Sequence, residues 1–396
     1  MTETVPPSLA RSRPAVLAGT SSLVSIEYEN LIQSVDDVLE PAPTKEFLAP
    51  GFIDVQVNGF AGVDYNDPSS SHDAIAQSIR IMFSTGVTRF FPTVITGSEE
   101  RMIAAMRNLR AAKEEMQRAQ MPEAYSIEAF HIEGPHISPE NGPRGAHPLE
   151  HIRPPDIEEF KRWQEAAGGH IRLVTVSPEY AETPHYIREL TRQGVVASIG
   201  HTKATGEQIQ AAVDAGAAMS THLGNAAHPS LPKIANYIWD QLAQDSLTAS
   251  FILDGIHIPG PFFRAAVRAK GIERAVLVTD AVMPAMCAPG PYKLGQVDVE
   301  LHPEGRVTIR GTDRLAGSAL RMDRAIGNAV RLGGISLPQA IAMATVHPAR
   351  VTRIAGRRRG LTPGEHADFV RFKWDEASQA LSVIETVSAG VTVFRA

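Results

Sequence analysis

The sequence predicts an α/β protein, a closed (β/α)8 barrel of the TIM type with a small β-sandwich domain built from both chain termini. Three observations predict it. Between residues 50 and 282, short β-rich runs alternate with segments of helical period, and there are eight such runs. Polar and titratable residues gather at the same, C-terminal end of most of them. β-like segments lie on either side of this region. Strand and helix in alternation give parallel strands, and eight strands close a barrel. The competing arrangement is a doubly wound open sheet, and the clustering of polar groups at one end favours the barrel.

Residues 1–49 are strand-like and turn-rich, with Pro41 and Pro43 and no clear helical pattern. The eight runs follow. The first four are GFIDVQV (51–57), GVTRFFPTV (86–94), YSIEAFHIEG (125–134) and IRLVTVSPE (171–179). The second four are GVVASIGHT (194–202), AAMSTHLGN (217–225), LTASFILDGIH (247–257) and RAVLVTDAV (274–282). Helices between them are exemplified by 98–119 and by 184–194, the latter ending on the glycine stop Gly194. Beyond residue 282 the pattern gives a strand-rich insertion at 291–310, helices at 318–332 and 337–345, and a β-like tail from about 350. The expected division is a barrel at 50–349 and a small β-domain from 1–49 and 350–396. No internal repeat or low-complexity segment is apparent.

With 396 residues, 43% of them hydrophobic, the chain has apolar material for more than one ordinary domain, and a barrel alone uses ~250 residues. The net charge of -6 argues against nucleic acid and anionic membranes as main partners. The one basic run, Arg357–Arg359, reads as a solvated surface turn. A single cysteine, Cys287, excludes an internal disulfide framework, fits a reducing compartment, and reads as a small buried hydrophobe rather than a nucleophile. No N-terminal apolar signal region and no apolar run of ~20 residues is present, so a cytoplasmic protein is expected.

In a barrel the C-terminal strand ends carry the active site. Run 1 ends in Gln56 and Asn58, run 3 in His131 and Glu133, run 5 in His201, run 6 in His222 and Asn225, run 7 in Asp254 and His257, and run 8 in Asp280. One histidine at a strand end is usually a hydrogen-bonded structural residue; six polar ends at one mouth are not six accidents. Two neutral imidazoles and a carboxylate make a common set for a catalytic divalent ion with a position left for water. Glu133, His201 and His222 supply that set. Water activated on such an ion becomes a usable nucleophile near neutral pH, and Asp280 is placed to accept its proton and pass it to a leaving group. The plainer role for Asp280 is a helix N-cap.

The segments HIEGPHIS…GAHP (131–148), GHTKAT (200–205), THLGNAAHP (221–229), DGIHIP (254–259), VTDA (278–281) and LAGSAL (315–320) resemble N-acetylglucosamine-6-phosphate deacetylases of the amidohydrolase superfamily. So do APGFIDVQVNG (49–59) and ATVHPAR…GEHADFV (344–370), so the resemblance runs in consistent order over most of the chain. It implies a barrel with a β-sandwich from both termini, in a homodimer, acting on a small amino-sugar substrate. It makes Glu133, His201 and His222 the ligands of one divalent metal, zinc by default with iron, cobalt or manganese as alternatives, and Asp280 the general acid/base. His147 and the adjacent Ala146 would face the sugar. The backbone at Asn225–Ala226 and the side chain of His257 would hold the sugar or its 6-substituent. His147 and His257 both remain candidates to polarise the acetamide carbonyl.

The family usually follows THLGNA with an arginine that reaches the substrate phosphate; here the segment is AHPSLPKIANYIWDQL (227–242), without arginine. Lys233 and Arg144 are the candidate replacements, although a lysine lacks the bidentate fork. Tyr237 and Trp239 offer either a stacking surface for an unphosphorylated sugar or packing for a dimer interface. Many amidohydrolases carry His-x-His where Gln56 and Asn58 stand, and neutral amides are poor ligands for zinc-like ions. A vacated second metal site, with the amides hydrogen-bonding the first, is therefore expected. A cyclic amidohydrolase would want those histidines and a lysine on run 4, and has neither here. A catalytically inactive amino-sugar-binding homologue would not need Glu133, His201, His222 and Asp280 together.

Overall fold

The structure, a computed structural model, describes residues 9–20, 22–39, 45–295 and 297–396. Pro41 and Pro43 lie outside the described residues. Eight parallel strands form the barrel: β1 (Phe52–Val57), β2 (Val87–Ile95), β3 (Phe130–Glu133), β4 (Ile171–Val176), β5 (Val196–Ile199), β6 (Met219–Ser220), β7 (Thr248–Phe251) and β8 (Ala275–Leu277). They neighbour one another in chain order. The seam between β8 and β1 is bridged just beyond the strand ends. Val57 pairs with Ala281, and the Asp280 and Asn58 amides donate to Gln56 O at 3.0 Å and Ala281 O at 2.7 Å. Every residue of β1 is buried, as expected for a parallel strand covered on both faces.

The strands are shorter than the apolar runs. Run 3 begins in a helical turn, Glu123–Ser126, and only its last part is strand; run 6 contributes two residues. The polar tips lie beyond the ladder because the backbone there leaves the β region: His201, His222 and Asp280 have φ of 50°, 30° and 50°.

Helix Glu99–Arg118 shows how the outer layer is built. Ser98 caps it by accepting from the Arg101 amide, and Met102, Ala105, Met106, Leu109, Ala112 and Met116 are buried at helical spacing against the barrel. The insertion after β8 is a three-stranded antiparallel sheet, Gly290–Leu294, Val297–Leu301 and Val307–Ile309. The two termini form one connected eight-stranded sheet, joined where Glu46–Pro50 pairs antiparallel with Phe369–Lys373. Its own apolar cluster includes Val24, Ile26, Leu48, Phe369 and Val387.

Two expectations are corrected. Arg357 is not part of a solvated turn: it is 3% exposed, pairs with Asp368 and donates to Gly51 O at 2.5 Å. Arg89 Nε meets the same Asp368 oxygen at 2.7 Å, so one buried carboxylate ties β2 to the C-terminal segment. Burial charges a carboxylate heavily, but two guanidiniums reverse the balance and hold Asp368 down at about 2. Cys287 is half-buried rather than buried, its Sγ 3.7 Å from Met283 O.

Candidate active site

The strand ends surround a cavity of about 400 Å³. Glu133, His201, His222, Asp280, Asn58, Ala146, His147, Asn225, Ala226 and His257 all line it. At its base, Glu133 Oε1 lies 3.2 Å from His201 Nε2 and 2.9 Å from His222 Nε2, and the two nitrogens are 3.1 Å apart. Around a tetrahedral zinc with bonds of about 2.0–2.1 Å, donor atoms lie roughly 3.3 Å from one another. The three atoms therefore have the spacing and chemistry of a cation site. His147 also comes near: Glu133, His147 and His201 offer ligand atoms within 4.8 Å of one another. The Glu133–His201–His222 set is the tighter one, and His147 Nδ1 is engaged by Thr96 Oγ1 at 2.7 Å. Burial raises the pKa of Glu133, but the imidazoles of His201 and His222 beside it outweigh that and keep the carboxylate well below its ordinary value. His201 Nδ1 is 2.9 Å from Pro143 O, which fixes that nitrogen as the N–H and leaves Nε2 as a lone-pair donor.

The two amides at the tip of β1 both face this group. Gln56 Nε2 donates to Glu133 Oε1 at 2.8 Å and to Asp280 Oδ1 at 3.1 Å; Asn58 Nδ2 donates to Asp280 Oδ1 at 2.6 Å. Asp280 thus has one oxygen held and the other, Oδ2, without a protein partner among the described residues. Burial, then the negative charge of Glu133, pushes its carboxyl up to about 6, a value suited to taking and returning a proton near neutrality. His257 is oriented by Asp254: Nδ1 meets Asp254 Oδ2 at 2.6 Å, while Asp254 Oδ1 accepts from the Ile256 and His257 amides, both at 2.8 Å. Its Nε2 is left for a ligand.

Left-handed backbone at His201, His222 and Asp280, and at Ala226 with φ 48°, costs of order 1 kcal/mol per residue. Such cost concentrated in three of four chemistry-bearing side chains marks a site shaped for something other than stability.

Other expected residues lie elsewhere. Lys233 is exposed and Arg144 Nη2 is bound to Asn141; neither lines the cavity of this chain. Tyr237 is buried, with its hydroxyl accepting from the His228 amide at 2.8 Å, and Trp239 is 52% exposed; neither lines the cavity. His131, a polar tip of run 3, points into the barrel interior and bonds Thr175 Oγ1 at 2.8 Å. Sequence reasoning missed Arg101, which lines the cavity from the helix after β2, and Asp54, which binds Thr279 N and Oγ1 at 3.2 and 2.5 Å and so fixes the segment before Asp280. Only Asp54 left a signal, a carboxylate inside an apolar run.

A buried carboxylate and two imidazoles, facing a carboxyl across the mouth of a (β/α)8 barrel, define a hydrolase of the amidohydrolase class. The family model described as "Amidohydrolase family" matches residues 47–393. The chain is 32% identical over 353 residues to N-acetylglucosamine-6-phosphate deacetylase of Bacillus subtilis (strain 168), covering 89% of this chain and 86% of that one. It is 33% identical over 341 residues to N-acetylgalactosamine-6-phosphate deacetylase of Escherichia coli O157:H7, covering 84% and 86%. A mutant N-acetyl-D-glucosamine-6-phosphate deacetylase from Mycobacterium smegmatis, solved in complex with N-acetyl-D-glucosamine-6-phosphate, superposes with a TM-score of 0.85 at 28% identity, over 98% of this chain and 99% of that one. The chain belongs to the amidohydrolase family and, within it, to the N-acetylglucosamine-6-phosphate deacetylases.

Proposed function

We propose that the chain removes the acetyl group of an N-acetylated hexosamine 6-phosphate, N-acetylglucosamine 6-phosphate first among them, releasing acetate and the free amine. The observation that carries this is the convergence of Glu133, His201 and His222 on one point of the cavity that Asp280 also lines. The names of the relatives supply the substrate class.

Glu133, His201 and His222 would hold one divalent ion, zinc by preference. When bound, it supplies a Lewis acid that activates water and polarises the acetamide carbonyl. Asp280 Oδ2 takes the proton from the attacking water and returns it to the departing amine, while Gln56 and Asn58 hold Oδ1 and keep the carboxyl aimed at the cavity. His257, with its Nδ1–H on Asp254, presents Nε2 to the substrate; His147, anchored by Thr96, presents Nε2 from the opposite loop. Burial holds His147 down at about 3, so its ring meets the substrate as a neutral partner, and both rings stand as candidates to meet the acetamide oxygen or a sugar hydroxyl. The backbone at Asn225–Ala226 and Ala146 completes the sugar pocket.

We infer a division into a small β-domain from 1–49 with 350–396 and a barrel domain at 50–349, from the pattern of the sequence. No helix among the described residues is long and apolar enough to cross a membrane. Together with the single cysteine this supports a cytoplasmic enzyme, and the family supports a homodimer. The E. coli relative supports a second reading, the galactosamine epimer as substrate. Acetate release from N-acetylglucosamine 6-phosphate, its galactosamine epimer and unphosphorylated N-acetylglucosamine tests the assignment. Equal kcat/KM with and without the phosphate would remove the 6-phosphate from it, and no release from any sugar by the zinc-loaded protein would remove the activity.

A further inference from the structure

We propose that His228 is a positioning residue that clamps the loop after β6 to the turn after β3 and so holds two walls of the sugar pocket in register. This rests on the deacetylase reading above for the sugar that the pocket takes. The walls come from different parts of the chain. Ala146 and His147 stand on the turn after β3, Asn225 and Ala226 on the loop after β6, and all four line the cavity. Residues 134–148 and 221–236 hold no helix or strand, so no backbone ladder fixes one wall against the other. Side chains have to do it.

His228 lies two residues beyond Ala226. Its Nε2 is 3.1 Å from Glu140 Oε2, and a carboxylate oxygen only accepts, so Nε2 carries the hydrogen. In the neutral ring Nδ1 then accepts from the Tyr237 hydroxyl at 3.0 Å, while the hydroxyl oxygen accepts from the His228 amide at 2.8 Å. Both ring nitrogens are used, and Tyr237 selects the tautomer that reaches Glu140. Glu140 is held in turn by Lys203, from the loop after β5, and by its own amide on Ser138 Oγ at 3.3 Å. Its carbonyl accepts from the Arg144 amide at 2.8 Å, which starts the turn that leads to Ala146 and His147. The main chains meet as well: a Cβ added at Gly142, where φ is 96°, would lie 2.9 Å from His228 Cα and 3.0 Å from Ala227 O. The other side of this turn is fastened to His201, whose Nδ1 meets Pro143 O at 2.9 Å. His228 and Tyr237 both fall in 227–242, the segment that departs from the family's usual sequence. The His228 and Glu140 side chains are 29% and 43% exposed, so the clamp has the strength of a solvated contact, not of a buried ion pair.

The test uses the zinc-loaded full chain and the variants His228→Phe, Tyr237→Phe, Glu140→Ala and the double variant His228→Phe with Glu140→Ala. His72→Phe is the control, because His72 bridges Glu115 and Asn108 without lining the cavity. The readouts are kcat and KM for N-acetylglucosamine 6-phosphate, and hydrogen–deuterium exchange over residues 140–147 of the protein without substrate. Loss of one such contact predicts a roughly 3- to 10-fold rise in KM for His228→Phe, with kcat within about twofold of the parent. Exchange over 140–147 quickens in the same variant. Tyr237→Phe, which removes one oxygen and keeps the packing, shifts both readouts the same way by less, and decides the matter should His228→Phe fold poorly. The double variant does no more than the larger of its single changes, since both remove one contact. Unchanged KM and exchange in His228→Phe, additive losses in the double variant, or an equal rise in His72→Phe overturns the proposal. A parent that releases no acetate from any sugar would sink the deacetylase reading alone, and the exchange comparison would still decide the clamp.

Discussion

Replacing Asp280 by asparagine removes a proton acceptor while leaving its surroundings almost unchanged. The amide oxygen of an asparagine can accept from Gln56 Nε2 and Asn58 Nδ2 as Asp280 Oδ1 does at 3.1 and 2.6 Å, so the side chain keeps its orientation. Its other end now carries an NH2 where Oδ2 was, and this group takes no proton. General acid–base participation is worth roughly 10²- to 10⁴-fold, so kcat falls by that factor, about 3–5 kcal/mol of barrier. Stability moves the other way. The carboxyl sits at about 6 because burial, and then Glu133, disfavour its ionised form. For a carboxyl raised above its unfolded value, the favourable contribution exists at low pH and disappears as pH climbs from about 4 through 6. At pH 7 the neutral variant is therefore at least as stable as the parent, with a ceiling of about 3 kcal/mol. Steady-state acetate release, metal content by mass spectrometry and a denaturant titration decide the matter together. An Asp280→Asn protein with its metal in place and kcat within tenfold of the parent would refute the role given to this carboxyl.

Metal analysis of the purified protein should return about one ion per chain, with activity lost on chelation and restored by zinc; two tightly held ions would mean that Gln56 and Asn58 do not mark a vacated site. Glu133→Gln should lower that metal content sharply without unfolding the barrel, read by circular dichroism beside the metal assay. Asp368, held at about 2 against an unfolded value near 4, contributes about 2–3 kcal/mol that is present above pH ~4 and lost as pH falls toward 2. Asp368→Asn should abolish that acid-dependent loss while costing about 3–5 kcal/mol at neutral pH, because Arg89 and Arg357 are left buried without their counter-charge. A Cβ at Gly200 would lie 2.8 Å from Thr175 Cγ2 and 2.9 Å from Thr221 Cβ, so Gly200→Ala should cost about 1–3 kcal/mol in denaturation and displace His201, weakening metal retention.

The barrel was legible because parallel strands buried on both faces leave apolar runs, and β1, β2 and β4 appear where GFIDVQV, GVTRFFPTV and IRLVTV stand. Strand length was not. At His201 and His222 the chain turns left-handed to aim imidazoles into the cavity, and no periodicity announces that a histidine has left the β region. Arg357 looked like a surface charge because its partners, Asp368, Thr88 Oγ1 and Gly51 O, are brought to it only by folding. Arg101 was hidden for the converse reason: among the charges of an amphipathic helix, nothing local tells the one turned toward a cavity from those turned toward water.

The pairing of Glu46–Pro50 with Phe369–Lys373 has a consequence for how the chain is made. Synthesis runs from the N-terminus, and domains whose segments are contiguous fold as they emerge. Here the strand that leads directly into β1 is completed only by a strand translated after the whole barrel. Until then its open edge is an unpaired ladder of amides and carbonyls, the feature that invites association with other nascent chains. A ribosome that stops just short of Phe369 thus releases every residue of the metal-type site without the strand that finishes the terminal sheet.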